Sequence, residues 1–498
     1  MRQLIIVTLL AATLTSCFDD ETTNAQDTIS EIIITEGTIE SVYDIEKNDT
    51  LTIAPQYTQT NQQKEVSFTW EIDQETYSND SIFVYVGESL GTFQCRLILE
   101  NEDGKTFHTF VLYVDSPYEE GITIISADDY GNSMLSFMLA GTEDSIGFID
   151  GDCFTINNPD YTFAANPVDM VQSDGWLIIA CQGEDNSEEA PATIYYLNEK
   201  TFTVENELTV AEYSNFIPTK LGIPSVGFSG TSYPVLCQDG SVFEFSTSEG
   251  NLTLPVKLTS NYAQRLVEYD TGTGYNFDIV LWDNEVGDLT LIYNGYGPYF
   301  CSETYLCEKD SCTGSNNYFN GKTFITMAYV EMTDEQETTS TPTILVITKS
   351  GSLYQRTQLK TTFWYYDEEN LETKLYDNGG SKMCGTGTVD LDDTTPCIAN
   401  MTYYSFLFAN GNQVMRWNYT TSQLLNKADV LATVGSDNAV ITDFEISQDH
   451  TQTYVAYYEP EETGLNGHLS VIDTDTGELL KQYDNISYKP NKVIYKVK

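Results

Sequence analysis

The chain of 498 residues carries 75 Asp and Glu against 23 Lys and Arg, a formal charge of −52 with its three histidines neutral. That field makes nucleic acid and an anionic membrane surface poor partners. With 41% hydrophobic and 12% aromatic residues, the composition excludes a disordered or collagen-like chain, and the length allows about two to four domains, or fewer where an all-β domain runs long.

Residues 1–16 combine one positive charge, Arg2, with a short apolar stretch from Leu4 to Leu14 and small residues before Cys17. At about 1.5 Å per residue that stretch is too short to cross roughly 30 Å of hydrocarbon, so it reads as a secretory signal and not as a span. Leu14-Thr15-Ser16-Cys17 resembles the lipobox of bacterial lipoproteins, which implies cleavage before Cys17 and lipidation of that cysteine. The acidic run Asp19-Asp20-Glu21 behind it resembles the surface-export signal of Bacteroidetes lipoproteins. The resemblance implies an outer-membrane location facing the exterior; no later stretch approaches 18 consecutive apolar residues, so the lipid is the only membrane contact expected. Residues 17–30, polar and without periodicity, read as a lipidated acidic tether.

Residues 31–116 predict seven short strands, at 31–35, 39–43, 51–57, 66–72, 81–86, 92–99 and 106–114. Alternation in Phe93, Cys95, Leu97, Leu99 and in Phe110, Leu112, Val114 turns one face of each strand inward. Asn101-Glu102-Asp103-Gly104 has hairpin-turn chemistry, Trp70 is the natural core aromatic, and Cys95 reads as a buried free thiol. The expected fold is an Ig-like β-sandwich. Phe68-Thr69-Trp70-Glu71-Ile72-Asp73, Gly91-Thr92-Phe93-Gln94-Cys95-Arg96-Leu97 and the exit from Leu112 through Pro117 to Gly121 resemble the PKD-like domain of Bacteroidetes lipoproteins. That resemblance covers about a fifth of the chain. It implies a long β-rich region to follow, and a SusC-like and SusD-like outer-membrane import pair as the partner.

From 117 to 498 a unit recurs: a very apolar strand, then a strand running into a polar turn. The apolar strands are predicted at 176–181, 234–237, 277–282, 343–348, 405–409 and 453–457, and their partners at 194–200, 242–247, 289–294, 352–355, 414–419 and 469–477. A spacing of roughly 44 to 65 residues is that of propeller blades. Segments 122–125, 134–139 and 146–149 make a further unit, which residues 492–497 complete by adding the last strand of the chain to the first blade. The expectation for 117–498 is a seven-bladed β-propeller, all-β like the domain before it.

Two stretches exceed the length of a regular blade. Residues 294–322 hold Tyr296, Tyr299, Phe300 and Tyr318 with Cys301, Cys307 and Cys312; residues 356–397 hold Phe363, Trp364, Tyr365 and Tyr366 with Cys384 and Cys397. Loops opening on one face would set these eight aromatics in a disulfide-braced wall beside the central channel, suited to an oligosaccharide or peptide ligand. Ordinary packing within the blades is the other reading. Ten cysteines less Cys17 leave nine, an odd number that cannot all pair within the chain, and the spacing of Cys301, Cys307 and Cys312 is not that of a zinc site.

No metalloprotease, nucleophile-elbow or phosphate-loop motif occurs, and His108, His450 and His468 are scattered. Asp283 and Glu285 are the one carboxylate pair worth naming for glycosidase chemistry. Asp390–Asp393 and Asp473–Asp475 read as turns, although their chemistry also suits calcium; no cofactor is assigned. These observations point to a non-catalytic surface lipoprotein accessory to a nutrient importer, binding substrate or docking on the transporter. A propeller glycoside hydrolase or peptidase, and a scaffold without ligand, are the alternatives.

Overall fold

The computed structural model describes residues 29–139, 148–149, 151–173, 175–184, 190–209, 216–222, 225–227, 230–246, 251–252, 256–257, 262–270, 277–285, 287–293, 300–302, 306–307, 319, 321–333, 340–367, 370–377 and 381–497. The chain divides into two compact units between Pro117 and Tyr118. Among the described residues both are built almost wholly of strands.

In the first unit a five-stranded sheet runs in the order Val42–Glu46, Gly104–Asp115, Gly91–Asn101, Ser67–Ile72, Glu75–Ser78. Two short pairs, Ile32–Ile34 with Tyr57–Gln59 and Thr50–Ile53 with Phe83–Val86, contribute to the same core. Trp70, Phe83, Leu97, Leu99, Phe110 and Leu112 fill it, and Cys95 lies there as a free thiol. The alternation predicted Cys95, Leu97, Leu99, Phe110 and Leu112 as inward because one face of each strand meets the core and the other meets water, Trp70 was expected as the core aromatic, and Phe83 was not anticipated. Asn101 Oδ1 accepts the backbone N–H groups of Asp103 at 2.9 Å and Gly104 at 3.1 Å, closing the expected hairpin.

The described strands of this unit number nine, against seven expected. The segment 51–57 splits because Ala54-Pro55-Gln56 interrupts it, and proline has no N–H for a ladder. Glu75–Ser78 follows a turn at Asp73 and Gln74, both with positive φ, a reversal that alternation does not signal.

The described residues of the second unit form seven sheets in chain order. The second sheet is representative: Pro167–Ser173, Trp176–Cys181, Thr193–Asn198 and Val204–Thr209 pair antiparallel in that order. Each predicted apolar strand is the second strand of its sheet, because it is covered on both faces. Leu177, Ile179 and Cys181 pack against the first sheet, while Ile178 and Ala180 pack against the third.

The first sheet is completed by the end of the chain. Lys489–Lys496 pairs antiparallel with Gly121–Ala127, as the sequence predicts. The inner strands Lys489–Lys496, Pro167–Ser173, Pro218–Leu221, Tyr262–Asp270, Thr323–Thr333, Cys397–Asn400 and Val440–Ile446 lie each beside the next, and the last returns to the first. A closed ring of radial sheets around an axial channel is a β-propeller, which leaves no sheet edge open at the seam.

The second long stretch is not the loop expected, and of the first only residues 300–302, 306–307, 319 and 321–322 are described. Most of 356–397 is sheet: Leu353–Asp367 continues as one 15-residue strand, with Lys382–Thr386 and Asn370–Asp377 paired along its outer edge. The β-branched and aromatic run from Thr357 to Tyr366 favours extended structure over a loop. From the other stretch, Leu306–Cys307 adds in parallel to Leu375 and Tyr376, so the two stretches meet at the outside of the fifth sheet.

Candidate functional site

Five inner strands slip register by one residue; in Thr323–Thr333 the slip falls between Phe324 and Thr326, and in the other four between Pro167 and Asp169, Pro218 and Lys220, Ile441 and Asp443, and Pro490 and Lys492. A bulge re-aims the residue that follows it. In four neighbouring inner strands that residue is charged, Asp443, Lys492, Asp169 and Lys220 in order around the ring, while in Thr323–Thr333 it is Thr326.

Two equal contacts join these strands. Asp169 Oδ2 accepts the backbone N–H of Leu221 at 3.0 Å, and Asp443 Oδ2 accepts that of Val493 at 2.9 Å. Each carboxylate also faces the lysine preceding that apolar residue, with Lys220 Nζ 3.8 Å from Asp169 Oδ2 and Lys492 Nζ 3.2 Å from Asp443 Oδ2. Burial alone would lower the Lys492 ammonium, but Asp443, Asp169 and Glu445 together hold it above its ordinary value. Glu445, two residues beyond Asp443, is pushed up to about 7 by its enclosure, against the pull of Lys492.

Beside this ring lies a cavity of about 220 Å³, lined by Asp169, Met170, Val171, Lys220, Leu221, Arg265 and Lys492. Arg265 belongs to the inner strand of the fourth sheet, and one guanidinium nitrogen, Nη2, donates to the carbonyl of Thr395 ahead of the sixth. Its Nε is buried without a hydrogen-bond partner.

None of these six charged residues, Asp169, Lys220, Arg265, Asp443, Glu445 and Lys492, was singled out from the sequence as part of a site. A signal was present: Pro167-Val168-Asp169-Met170, Pro218-Thr219-Lys220-Leu221 and Pro490-Asn491-Lys492-Val493 share the order proline, bulged residue, charge, apolar residue. The search for apolar runs passed over it because the charge and the bulge interrupt both alternation and apolarity.

Of the aromatic candidates, Tyr296, Tyr299 and Tyr318 lie outside the described residues, as does Cys17. Phe300 falls on Phe300–Ser302, and Phe363, Trp364, Tyr365 and Tyr366 on Leu353–Asp367, with the side chains of these five outside the described part. The latter strand is third from the axis, two strand spacings or roughly 10 Å from the inner strand of its sheet, and so does not border the channel. Disulfide bracing fails for the second stretch, where Cys384 and Cys397 are both free. Cys384 packs on an outer strand of the fifth sheet, while Cys397 opens the inner strand of the sixth, its Sγ 3.4 Å from Thr326 Oγ1.

Asp283 is 2% exposed, and its Oδ1 accepts the backbone N–H of Glu285 at 2.8 Å, so this carboxylate closes a turn. Its ladder partner Asp288 is raised to about 6 by burial, with the nearby Asp283 charge adding to the shift. Asp392 Oδ1 accepts the backbone N–H groups of Thr394 and Thr395, each at 2.9 Å, and Asp473 Oδ1 those of Asp475 at 3.1 Å and Thr476 at 2.7 Å. Both are turn-closing carboxylates, which is the turn reading of these segments. His468 is buried against the ring of Tyr457, with Nε2 3.1 Å from Glu462 and Nδ1 3.2 Å from Asp484.

No family model matches the chain, and no curated protein matches it. Among solved structures it is similar to a quinoprotein alcohol dehydrogenase-like protein of Bacteroides thetaiotaomicron, at 13% identity and a TM-score of 0.47, over 93% of this chain and 99% of that one. It is also similar to the β-propeller domain of Cps50 (Swd1) of Myceliophteria thermophila, at 11% identity and a TM-score of 0.39, over 65% of this chain and 89% of that one. A third is the C-terminal WD40 domain of Sif2, at 12% identity and a TM-score of 0.33, over 72% of this chain and 82% of that one.

Proposed function

We propose that this chain is a non-catalytic lipoprotein of the outer membrane, anchored through Cys17 and facing the exterior. A PKD-like β-sandwich acts as the spacer above the tether. Each of the seven sheets that follow is one blade of a seven-bladed propeller, which captures an oligosaccharide or peptide nutrient or docks on a SusC-like/SusD-like importer. The propeller is the binding domain of the molecule.

The observation that carries the binding reading is the commitment of the channel carboxylates. Asp169 holds the backbone of Met170 and Leu221, and Asp443 that of Val493 beside its lysine. Groups so engaged form a rigid polar lining and are poorly placed to transfer protons or attack a substrate. The lipobox and the acidic run behind it support the location.

The test is a pull-down of the native lipoprotein from detergent-solubilised outer membranes, beside a Cys17→Ala form, with co-purifying proteins and ligands identified by mass spectrometry. Expected are membrane retention that depends on Cys17 and recovery of a large outer-membrane barrel with a second lipoprotein. A Cys17→Ala form that stays in the membrane, or native protein recovered with neither partner nor ligand, overturns the reading.

A further inference from the structure

The end of the channel bordered by the first four sheets gathers positive charge in a strongly negative molecule. The cavity there is lined by three cations, Lys220, Arg265 and Lys492, and one carboxylate, Asp169. Asp443 and Glu445 lie behind Lys492, so the cations are balanced when Glu445 is ionised and exceed the carboxylates by one when it holds its proton, inside a chain whose net charge is −52. Lys220 and Lys492 face carboxylates, whereas Arg265 is the cation of the cavity for which no carboxylate partner is found among the described residues.

Arg265 is also the group with a donor to spare. Its contact with the Thr395 carbonyl anchors the guanidinium across the channel, while Nε stays buried without a partner. A charged donor removed from water and left unmet is costly, and an incoming oxygen relieves that cost. The planar guanidinium presents adjacent N–H groups in a fixed fork that matches a carboxylate, and Met170, Val171 and Leu221 supply apolar wall for the carbon atoms behind it. A volume of about 220 Å³ holds roughly seven waters, room for a carboxylate with a few attached atoms.

We propose that this cavity is a carboxylate-binding site, in which Arg265 grips the carboxylate of the ligand and Lys220 and Lys492 flank it. The proposal rests on the reading of the propeller as a binding domain and names the chemistry that domain selects. An acidic sugar and the end of a peptide both offer that group. A strongly negative protein disfavours anions at long range, so selection falls on ligands that fit this one locally positive cavity.

The test is isothermal titration calorimetry on the full lipoprotein in detergent, with two matched pairs of probes. D-glucuronate is compared with D-glucose, and N-acetyl-alanyl-alanine with its C-terminal amide. The expected result is that the carboxylate member of at least one pair binds tenfold or more tightly than its neutral partner, and the favoured pair identifies sugar or peptide as the source. Arg265→Gln should abolish that preference, and Lys382→Gln, at an exposed position, should keep it. The preference is measured on the unaltered protein, so it decides the matter even if Arg265→Gln folds poorly. Equal binding within both pairs, binding of none of the four probes, or a preference that survives in folded Arg265→Gln overturns the carboxylate site. The wider binding reading stands or falls separately, on the pull-down.

Discussion

Asp169 reaches from the inner strand of the second sheet to that of the third, where its Oδ2 takes the backbone N–H of Leu221 at 3.0 Å. Asp443 makes the same reach from the seventh sheet to the first, taking Val493 at 2.9 Å. In both pairs the ladder is bulged one residue before the aspartate, and a lysine precedes the apolar residue that donates. The second pair lies on the seam where the ring closes, so one device serves an ordinary sheet boundary and the closure alike.

Removing either carboxylate leaves a backbone N–H unmet and a lysine unpaired. Asp443→Ala and Asp169→Ala are each expected to cost about 2–4 kcal/mol, and Asp443→Asn, which keeps an acceptor oxygen, about half as much. Urea unfolding with an unchanged slope reads this directly. A loss below about 0.5 kcal/mol for both alanine variants would show that these contacts do not hold the sheets together.

How far the sequence revealed this fold depended on what each strand touches. Trp176–Cys181 stood out because neighbouring sheets cover both its faces, and an unbroken apolar run is the signature of that environment. The inner strand Pro167–Ser173 did not stand out. It borders a polar channel, begins with proline and carries a bulge, so neither apolarity nor period two survives in it. The ring charges were hidden for that reason, since they sit on the strands whose pattern the bulges break. The aromatic run at Phe363 drew notice by composition, but its place on an outer strand follows from the pairing of Asn370–Asp377, a long-range fact that local sequence does not contain.

The last strand is expected to be indispensable to the second unit. Ending the chain after Tyr488 removes Lys489–Lys496, exposes the edge of Gly121–Ala127 and takes away Val493 and the partner of Asp443. The truncated protein should lose more than about 10 °C in Tm or accumulate as aggregate, given a loss of several kcal/mol. A truncated chain that melts with the full-length protein would mean that the ring does not depend on this closure.

Glu445 makes the ring sensitive to pH in a definite direction. Its carboxyl is raised from an ordinary 4.5 to about 7 in the folded protein, so between those values the folded state holds a proton that the unfolded state has released. The stabilising contribution of that proton is complete below about pH 4.5 and is lost as pH rises through about 7. Glu445→Gln should therefore be more stable than the parent at pH 8, by about 2 kcal/mol, and should flatten the decline between pH 5 and 8. Parallel denaturation at those pH values tests it, and identical slopes for parent and variant would exclude Glu445 as the cause.

The buried thiols give a prediction that separates packing from chemistry. Burial pushes Cys95, Cys153 and Cys384 up to about 12, and raises Cys181 and Cys237 as well. At neutral pH these five are protonated and shielded, and the reactive species is the thiolate. Maleimide should therefore leave all five unlabelled in the native protein over an hour at pH 7 and label them fully in urea, with peptide mapping to assign each site. Cys181 and Cys237 are the sharper case, because each closes an apolar second strand opposite the proline that opens an inner strand, Pro167 or Pro218. Rapid native labelling of either would require that boundary to open, and would place the weakest part of the ring at the bulges that carry Asp169 and Lys220.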